Sequence, residues 1–192
     1  QHSRLEADDL VAAGAFAFTR DGESSYRPGN RAYIVSPDKD LVQRVDRKVS
    51  IFIPGTSGKP DRHIGVPEVV QMRGMKPRQF CDYQTLIGDS TDDIPPIMTP
   101  AKAKALLQEH GSLKAYFGTK AGSEFFREHG NELIRNRRLV SMAYLAWKPT
   151  DAELQLRPLS ENDHIIIEQY GSLPASLTAL RAILSPSKKG LF

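Results

Sequence analysis

The chain has 192 residues, enough for one ordinary domain or two small ones. Apolar residues at 40% and charged residues at 26% exclude a disordered tail, and no apolar stretch is long enough to cross a bilayer or laid out as a signal peptide. One cysteine, Cys81, excludes an internal disulfide and a cysteine-based zinc site, and it suits a reducing, cytoplasmic compartment. Gln1 is not an initiator methionine, so the chain is expected to be a processed or excised piece.

Taken in order, Leu5 to Thr19 is rich in Ala, Leu, Val and Phe behind an acidic start, which predicts a mostly buried helix. Residues 21–30 form a Gly/Ser/Pro loop. Ala32 to Val35 is a short β-branched and aromatic run closed by Pro37, and Val49 to Ile53 is a second such run; both predict strands. A short helix over Leu41 to Val45 separates them, and Pro54 to Pro60 reads as a turn or hairpin loop. This alternation argues for an α/β layer over residues 1–75. From Met75 onward the pattern is helical: Pro77 to Ile87, then an Asp- and Pro-dense loop from Gly88 to Pro100, then Ala101 to His110 ended by Gly111. A short helix over Leu113 to Phe117 follows, and then Ser123 to Trp147 with a break near Gly130. Residues 76–148 form the expected helical region, and 149–192 an extension packing back on the core.

The net charge of +3 conceals an uneven distribution. Eight acids fall in three groups: Glu6, Asp8 and Asp9; Asp38 and Asp40; Asp89, Asp92 and Asp93. Against the 26 basic residues only 15 acids remain elsewhere, so the rest of the chain is strongly basic. Concentrated acid on a basic body suits a metal-using enzyme with a polyanionic substrate, although acids also cap helices and occupy turns. Glu6 and Asp9, three residues apart, share a helix face at the edge of an apolar run, where like charges are costly unless a cation neutralises them. Asp38 and Asp40 follow a buried strand, the end of an open α/β sheet where sites are built, and two carboxylates there suit a hard divalent ion. The histidines show no ligand spacing, no Gly-x-Ser-x-Gly elbow exists, and Gly55 to Lys59 lacks the spacing of a phosphate loop.

Glu6-Ala7-Asp8-Asp9, then Ser36-Pro37-Asp38-Lys39-Asp40 after a strand, then Ile87-Gly88-Asp89-Ser90-Thr91-Asp92-Asp93-Ile94-Pro95-Pro96 before a helix ending Leu106-Leu107-Gln108-Glu109-His110-Gly111-Ser112-Leu113 resembles the flap endonuclease or 5′→3′ exonuclease family. That family includes the 5′-nuclease domain of bacterial DNA polymerase I and phage ribonuclease H-type enzymes. The resemblance runs from Leu5 to about Tyr144 and covers the C-terminal portion of such a domain. It implies a partial PIN-like core sheet with flanking helices, followed by a helix–three-turn–helix region that grips duplex backbone. It also implies that Glu6, Asp8, Asp9, Asp38, Asp40, Asp89 and Asp92 are ligands of two Mg²⁺ or Mn²⁺ ions. Asp8, Asp9, Asp38, Asp40 and Asp89 would be the catalytic set, hydrolysing phosphodiesters near 5′ ends in a DNA flap or an RNA–DNA hybrid. Lys39, Lys102, Lys104, Arg137 and Arg138 are the expected DNA contacts.

The sequence departs from the family in three places. Asp93 stands where the family usually has Asn. The Gly-x-Gly hairpin that holds a K⁺ ion and a phosphate is replaced by Ile97 and Thr99 in Pro96-Ile97-Met98-Thr99-Pro100. The family's first strand, further acids and basic arch do not precede Gln1, so the missing half is expected as a separate or removed chain. The alternative is a catalytically incomplete nucleic-acid-binding component of a larger assembly. The C-terminal Lys188 to Phe192 resembles a sliding-clamp peptide. The resemblance places the protein in a bacterial or phage-infected cell, with no membrane partner.

Overall fold

The computed structural model describes residues 7–19, 31–55 and 58–142. Helix α1 spans Ala7–Thr19, inside the expected helix, and packs on strand β1 (Ala32–Val35) and on a 3₁₀ turn over Asp40–Arg44. Strand β2 (Val49–Ile53) runs parallel to β1 with Ala32 opposite Val49 and Val35 opposite Phe52. A third strand, β3 (Arg62–Ile64), pairs antiparallel with β2, setting Ile51 opposite Ile64. The loop between them is the expected hairpin, pinned where the Gly55 amide donates to Asp61 Oδ1 at 2.7 Å.

Neither β3 nor the next helix, α2 (Val66–Arg73), stands out in the sequence. In β3 only Ile64 is buried, so no apolar run marks it; its pairing with β2 makes the strand. Helix α2 is fixed by its ends rather than its middle. Pro67 occupies the first turn, Glu68 Oε2 accepts the Gly65 amide at 2.8 Å, and Gly74 closes it in the left-handed region at φ 67°.

The remaining described elements are α3 (Pro77–Ile87), α4 (Pro100–His110), α5 (Leu113–Phe117) and α6 (Lys120–Val140). Gln79 joins two of them: its side-chain amide donates to the carbonyls of Leu107 and Gly111 at 2.9 and 3.2 Å, satisfying the C-terminus of α4 from the first turn of α3. Two apolar clusters result. One joins α1, the sheet, the 3₁₀ turn and Phe80; the other joins Leu86, Ala103, Leu107, Leu113 and Leu133, and Tyr83 packs against both. Among the described residues no helix is long and apolar enough to cross a membrane.

One expectation fails here. Helix α6 begins at Lys120, where Thr119 Oγ1 caps the Gly122 amide at 3.0 Å, and it continues through Gly130 without a break. Tertiary packing of Leu133, Asn136 and Val140 overrides the weak propensity of a single glycine. A Cβ at Gly130 would meet only the Phe126 ring, at 3.6 Å, an ordinary contact. Gly130→Ala is therefore expected to stabilise the chain by about 0.5–1 kcal/mol, read as a higher denaturation midpoint at unchanged slope. Residues beyond Met142, including Tyr144, the 149–192 extension and the Lys188 to Phe192 peptide, lie outside the described residues.

Candidate metal centre

The carboxyl end of β1 leads straight into the acids. Ser36 Oγ accepts the Asp38 amide at 3.1 Å, and Asp38 Oδ1 accepts the Asp40 amide at 2.9 Å. These two local turns spend part of Asp38 on its own loop and place Asp40 at the first residue of the 3₁₀ turn. From α3, Gln84 Nε2 donates to Asp40 Oδ1 at 2.5 Å. Gln43 in turn donates to Gln84 Oε1 at 3.0 Å and to the Val140 carbonyl at 2.8 Å. A relay of two glutamines thus fixes one oxygen of Asp40. Burial pushes the Asp40 carboxyl above its ordinary range, against the lowering effect of Gln84 and of the Lys39 charge.

The second acidic segment of the site is the loop after α3. Gly88 turns the chain at φ 66°, and a Cβ there would sit 2.1 Å from the Ile94 carbonyl oxygen, so this close approach admits only glycine. Asp89 and Ile94 then exchange both backbone hydrogen bonds, at 2.9 and 2.8 Å, which closes the loop into a tight bridge. Asp93 closes it at φ 54°, in the left-handed region that Asn and Asp tolerate best. That conformation suits the Asn usual in the family and the Asp found here alike. The Asp89 carboxylate is buried, and Lys39 Nζ meets its Oδ2 at 2.6 Å. The Lys39 hydrogen bond, helped by the Thr91 amide on Oδ1 at 2.9 Å, holds Asp89 below the usual carboxylate range.

Oxygens of Asp40, Asp89 and Asp92 come within 4.8 Å of one another, with Asp40 half-buried, Asp89 buried and Asp92 exposed. Three residues separated by up to 52 positions converge on one point. An all-carboxylate set of this kind fits a hard divalent cation. Asp8, Asp9 and Asp38 lie outside that triad; Asp8 Oδ1 accepts the Asp9 amide at 2.9 Å in the first turn of α1, and Glu6 falls outside the described residues. Beside the triad opens a cleft of about 720 Å³, lined by Lys39, Arg73, Tyr83, Gln84, Asp89 and Ser90 among others.

The expected DNA contacts separate into groups. Lys39 is committed to Asp89, and Arg137 is paired with Asp82, whose buried carboxylate also accepts the Leu113 amide at 3.0 Å. Lys104 reaches back over the end of α2, where a Cβ on Gly74 would lie 2.4 Å from its Nζ. Lys102 and Arg138 stand exposed. Between the acidic loop and α4, the amides of Ile97 and Met98 both turn inward onto the Leu86 carbonyl, at 2.8 and 3.1 Å.

Sequence reasoning misses Gln84 and Asn136. Gln84 shares a face of α3 with Phe80, Tyr83 and Ile87, and a polar residue on an apolar stripe is the signal that marks it. Asn136 is fully buried and donates to the carbonyls of Thr85 and Pro95 at 3.2 and 2.9 Å, tying α6 to the end of α3 and to the acidic loop.

The raised Asp40 carboxyl has a consequence for stability. The folded chain holds this proton more tightly than the unfolded chain, so metal-free stability falls as pH rises from the ordinary value of 3.8 through the raised folded value. Asp40→Asn is expected to remove that fall. Thermal melts in a chelator at steps between about pH 4 and 7 check this as the difference between variant and parent.

No family model matches the chain. It is 36% identical over 165 residues to DNA polymerase I of Deinococcus radiodurans, covering 82% of this chain and 16% of the polymerase. It is 30% identical over 162 residues to the 5′-3′ exonuclease of Aquifex aeolicus, covering 82% of this chain and 49% of that protein. Among solved structures, T5 5′-exonuclease with bound divalent zinc ions superposes with a TM-score of 0.55 at 18% identity, over 72% of this chain and 50% of the other. The chain therefore spans about half the length of the exonuclease and a small part of the polymerase. Over 82% of its length the chain is thus related in sequence to a bacterial 5′-3′ exonuclease and to a DNA polymerase I, and it shares its fold with T5 5′-exonuclease.

Proposed function

We propose that the chain is part of a metal-dependent 5′-nuclease that hydrolyses phosphodiesters near the 5′ ends of DNA in replication and repair. The observation that carries this reading is the convergence of Asp40, Asp89 and Asp92 at the carboxyl end of the parallel strands. The family resemblance adds Glu6, Asp8, Asp9 and Asp38 as ligands, for two Mg²⁺ or Mn²⁺ ions in all. Bound divalent ions would supply an activated water and charge stabilisation for an in-line displacement.

The chain's own residues prepare that chemistry. Gln84 holds one Asp40 oxygen and leaves the other for a cation. The Asp89–Ile94 bridge fixes the direction of the Asp89 carboxylate, and Lys39 keeps it ionised. The segment from α3 through α4 is proposed as the helix–three-turn–helix element, with exposed Lys102 meeting the duplex backbone. The inward-turned amides of Ile97 and Met98 leave side chains rather than backbone to make that contact.

A 5′-labelled flap duplex, incubated in Mg²⁺ or Mn²⁺ with this chain alone and with the chain extended by the sequence encoded upstream of Gln1, is expected to be cut near its 5′ end. Cutting should stop on addition of a chelator. If neither form cuts the flap, and neither binds the duplex in a metal-dependent way, the nuclease reading fails.

A further inference from the structure

The metal centre occupies the carboxyl end of the parallel pair. At the opposite, amino end, where the Ala32 amide bonds the Lys48 carbonyl, lies a separate groove of about 740 Å³. Its walls come from the turn before β2, from one face of α2 and from the start of α3. The floor is aliphatic: Val45 is buried, Val66 and Val70 stand one turn apart on α2, and Pro77 closes the end, with Val70 left 40% exposed. The rim is basic. Arg47, Lys76 and Arg78 are exposed, and no ion pair engages any of them among the described residues. Lys48 is turned away, donating to the Thr19 carbonyl at 3.0 Å.

The one carboxylate among the described lining residues is outnumbered by the cations, so the rim stays basic. Asp46 Oδ1 accepts the amides of Lys48 and Val49 at 2.6 and 2.8 Å, so it is spent on its own turn. Three unpaired cations around an exposed aliphatic floor call for a ligand that is both acidic and aliphatic. We propose that this groove binds an extended acidic peptide of a partner protein, whose aliphatic side chains enter the valine floor while its carboxylates meet Arg47, Lys76 and Arg78. An extended segment has the right period, since alternate side chains point to opposite sides and acids can flank each apolar residue. A nucleic-acid strand fits less well. No aromatic ring appears among the described lining residues, so bases would find no stacking platform and the valines would meet nothing apolar of matching shape.

The site is distinct from the metal centre and its test does not depend on cleavage. The probe is a fluorescein-labelled peptide of sequence Glu-Asp-Leu-Glu-Ile-Asp-Glu-Leu, titrated by anisotropy, with a labelled twelve-residue oligothymidylate run in parallel. Saturable peptide binding is expected, weakened about tenfold or more by Arg47→Glu with Arg78→Glu, and separately by Val70→Glu. Affinity should also fall as salt rises, while divalent-ion binding at the metal centre stays unchanged. Absence of saturable peptide binding, or binding indifferent to all three substitutions, overturns the proposal. So does oligothymidylate binding that exceeds the peptide's and is lost in the Arg47→Glu, Arg78→Glu variant, which would reassign the groove to nucleic acid. Thermal melts of the variants show whether each remains folded, and the exposed position of all three residues favours that.

Discussion

Asp89→Asn is expected to weaken divalent-ion binding by at least about a hundredfold, near 2.7 kcal/mol, with little loss of fold. The reasoning rests on what the side chain does and what it leaves to the backbone. Asp89 supplies a buried oxygen to the triad with Asp40 and Asp92, and its hydrogen bond from Lys39 holds it below the usual carboxylate range. Asparagine keeps the shape but offers a neutral amide, a poor ligand for a hard cation. The bridge to Ile94 uses only backbone groups and survives the change. Calorimetric titration with Mn²⁺, beside a thermal melt, checks both halves of the expectation. Cleavage of the flap duplex should fall at least as far as the binding. An undiminished Mn²⁺ affinity would remove Asp89 from the coordination sphere.

The second large effect lies outside the triad. Asn136→Ala is expected to destabilise the chain by about 2–4 kcal/mol, because it strands the buried Thr85 carbonyl, removes the donor to the Pro95 carbonyl and opens a polar hole. Thr85 and Pro95 each lose their donor, and Arg135 loses the oxygen that accepts its guanidinium at 3.1 Å. Since Pro95 follows the acidic loop directly, the loss should also loosen Asp89 and Asp92 and weaken Mn²⁺ binding by roughly 10–100-fold, the range for partners of metal ligands. Urea unfolding reads the first effect, and calorimetry on the still-folded fraction reads the second. Asn136→Leu restores volume without donors, so it should remain nearly as unstable. If leucine rescues the fold, packing rather than hydrogen bonding is what Asn136 contributes.

Much of the frame is legible in the sequence because it rests on local signals. Ala32 to Val35 and Val49 to Ile53 are dense in β-branched residues, and Gly111 ends α4 with a left-handed turn at φ 77°. The acid groups at 6–9, 38–40 and 89–93 carry the family resemblance together. What stays hidden depends on partners distant in the chain. Strand β3 exists because β2 lies beside it, and α6 runs through Gly130 because Leu133, in the second cluster, and Asn136 are buried beyond it. Spacing also cannot say which of Asp38 and Asp40 faces the acidic loop. That is settled by Gln84, whose reach from α3 selects Asp40, and by the turn that occupies Asp38 with its own backbone.

Helix α3 has a role in how the molecule comes apart. Phe80 belongs to the sheet-side cluster, Leu86 to the helical one, and Tyr83 touches both. Neither cluster can open without exposing part of the other, so the two behave as a single cooperative unit rather than as independent foldons. Amides in the middle of α3 should therefore exchange with solvent only through global unfolding, and Asp40, Asp89 and Asp92 are assembled or dispersed together in that one event.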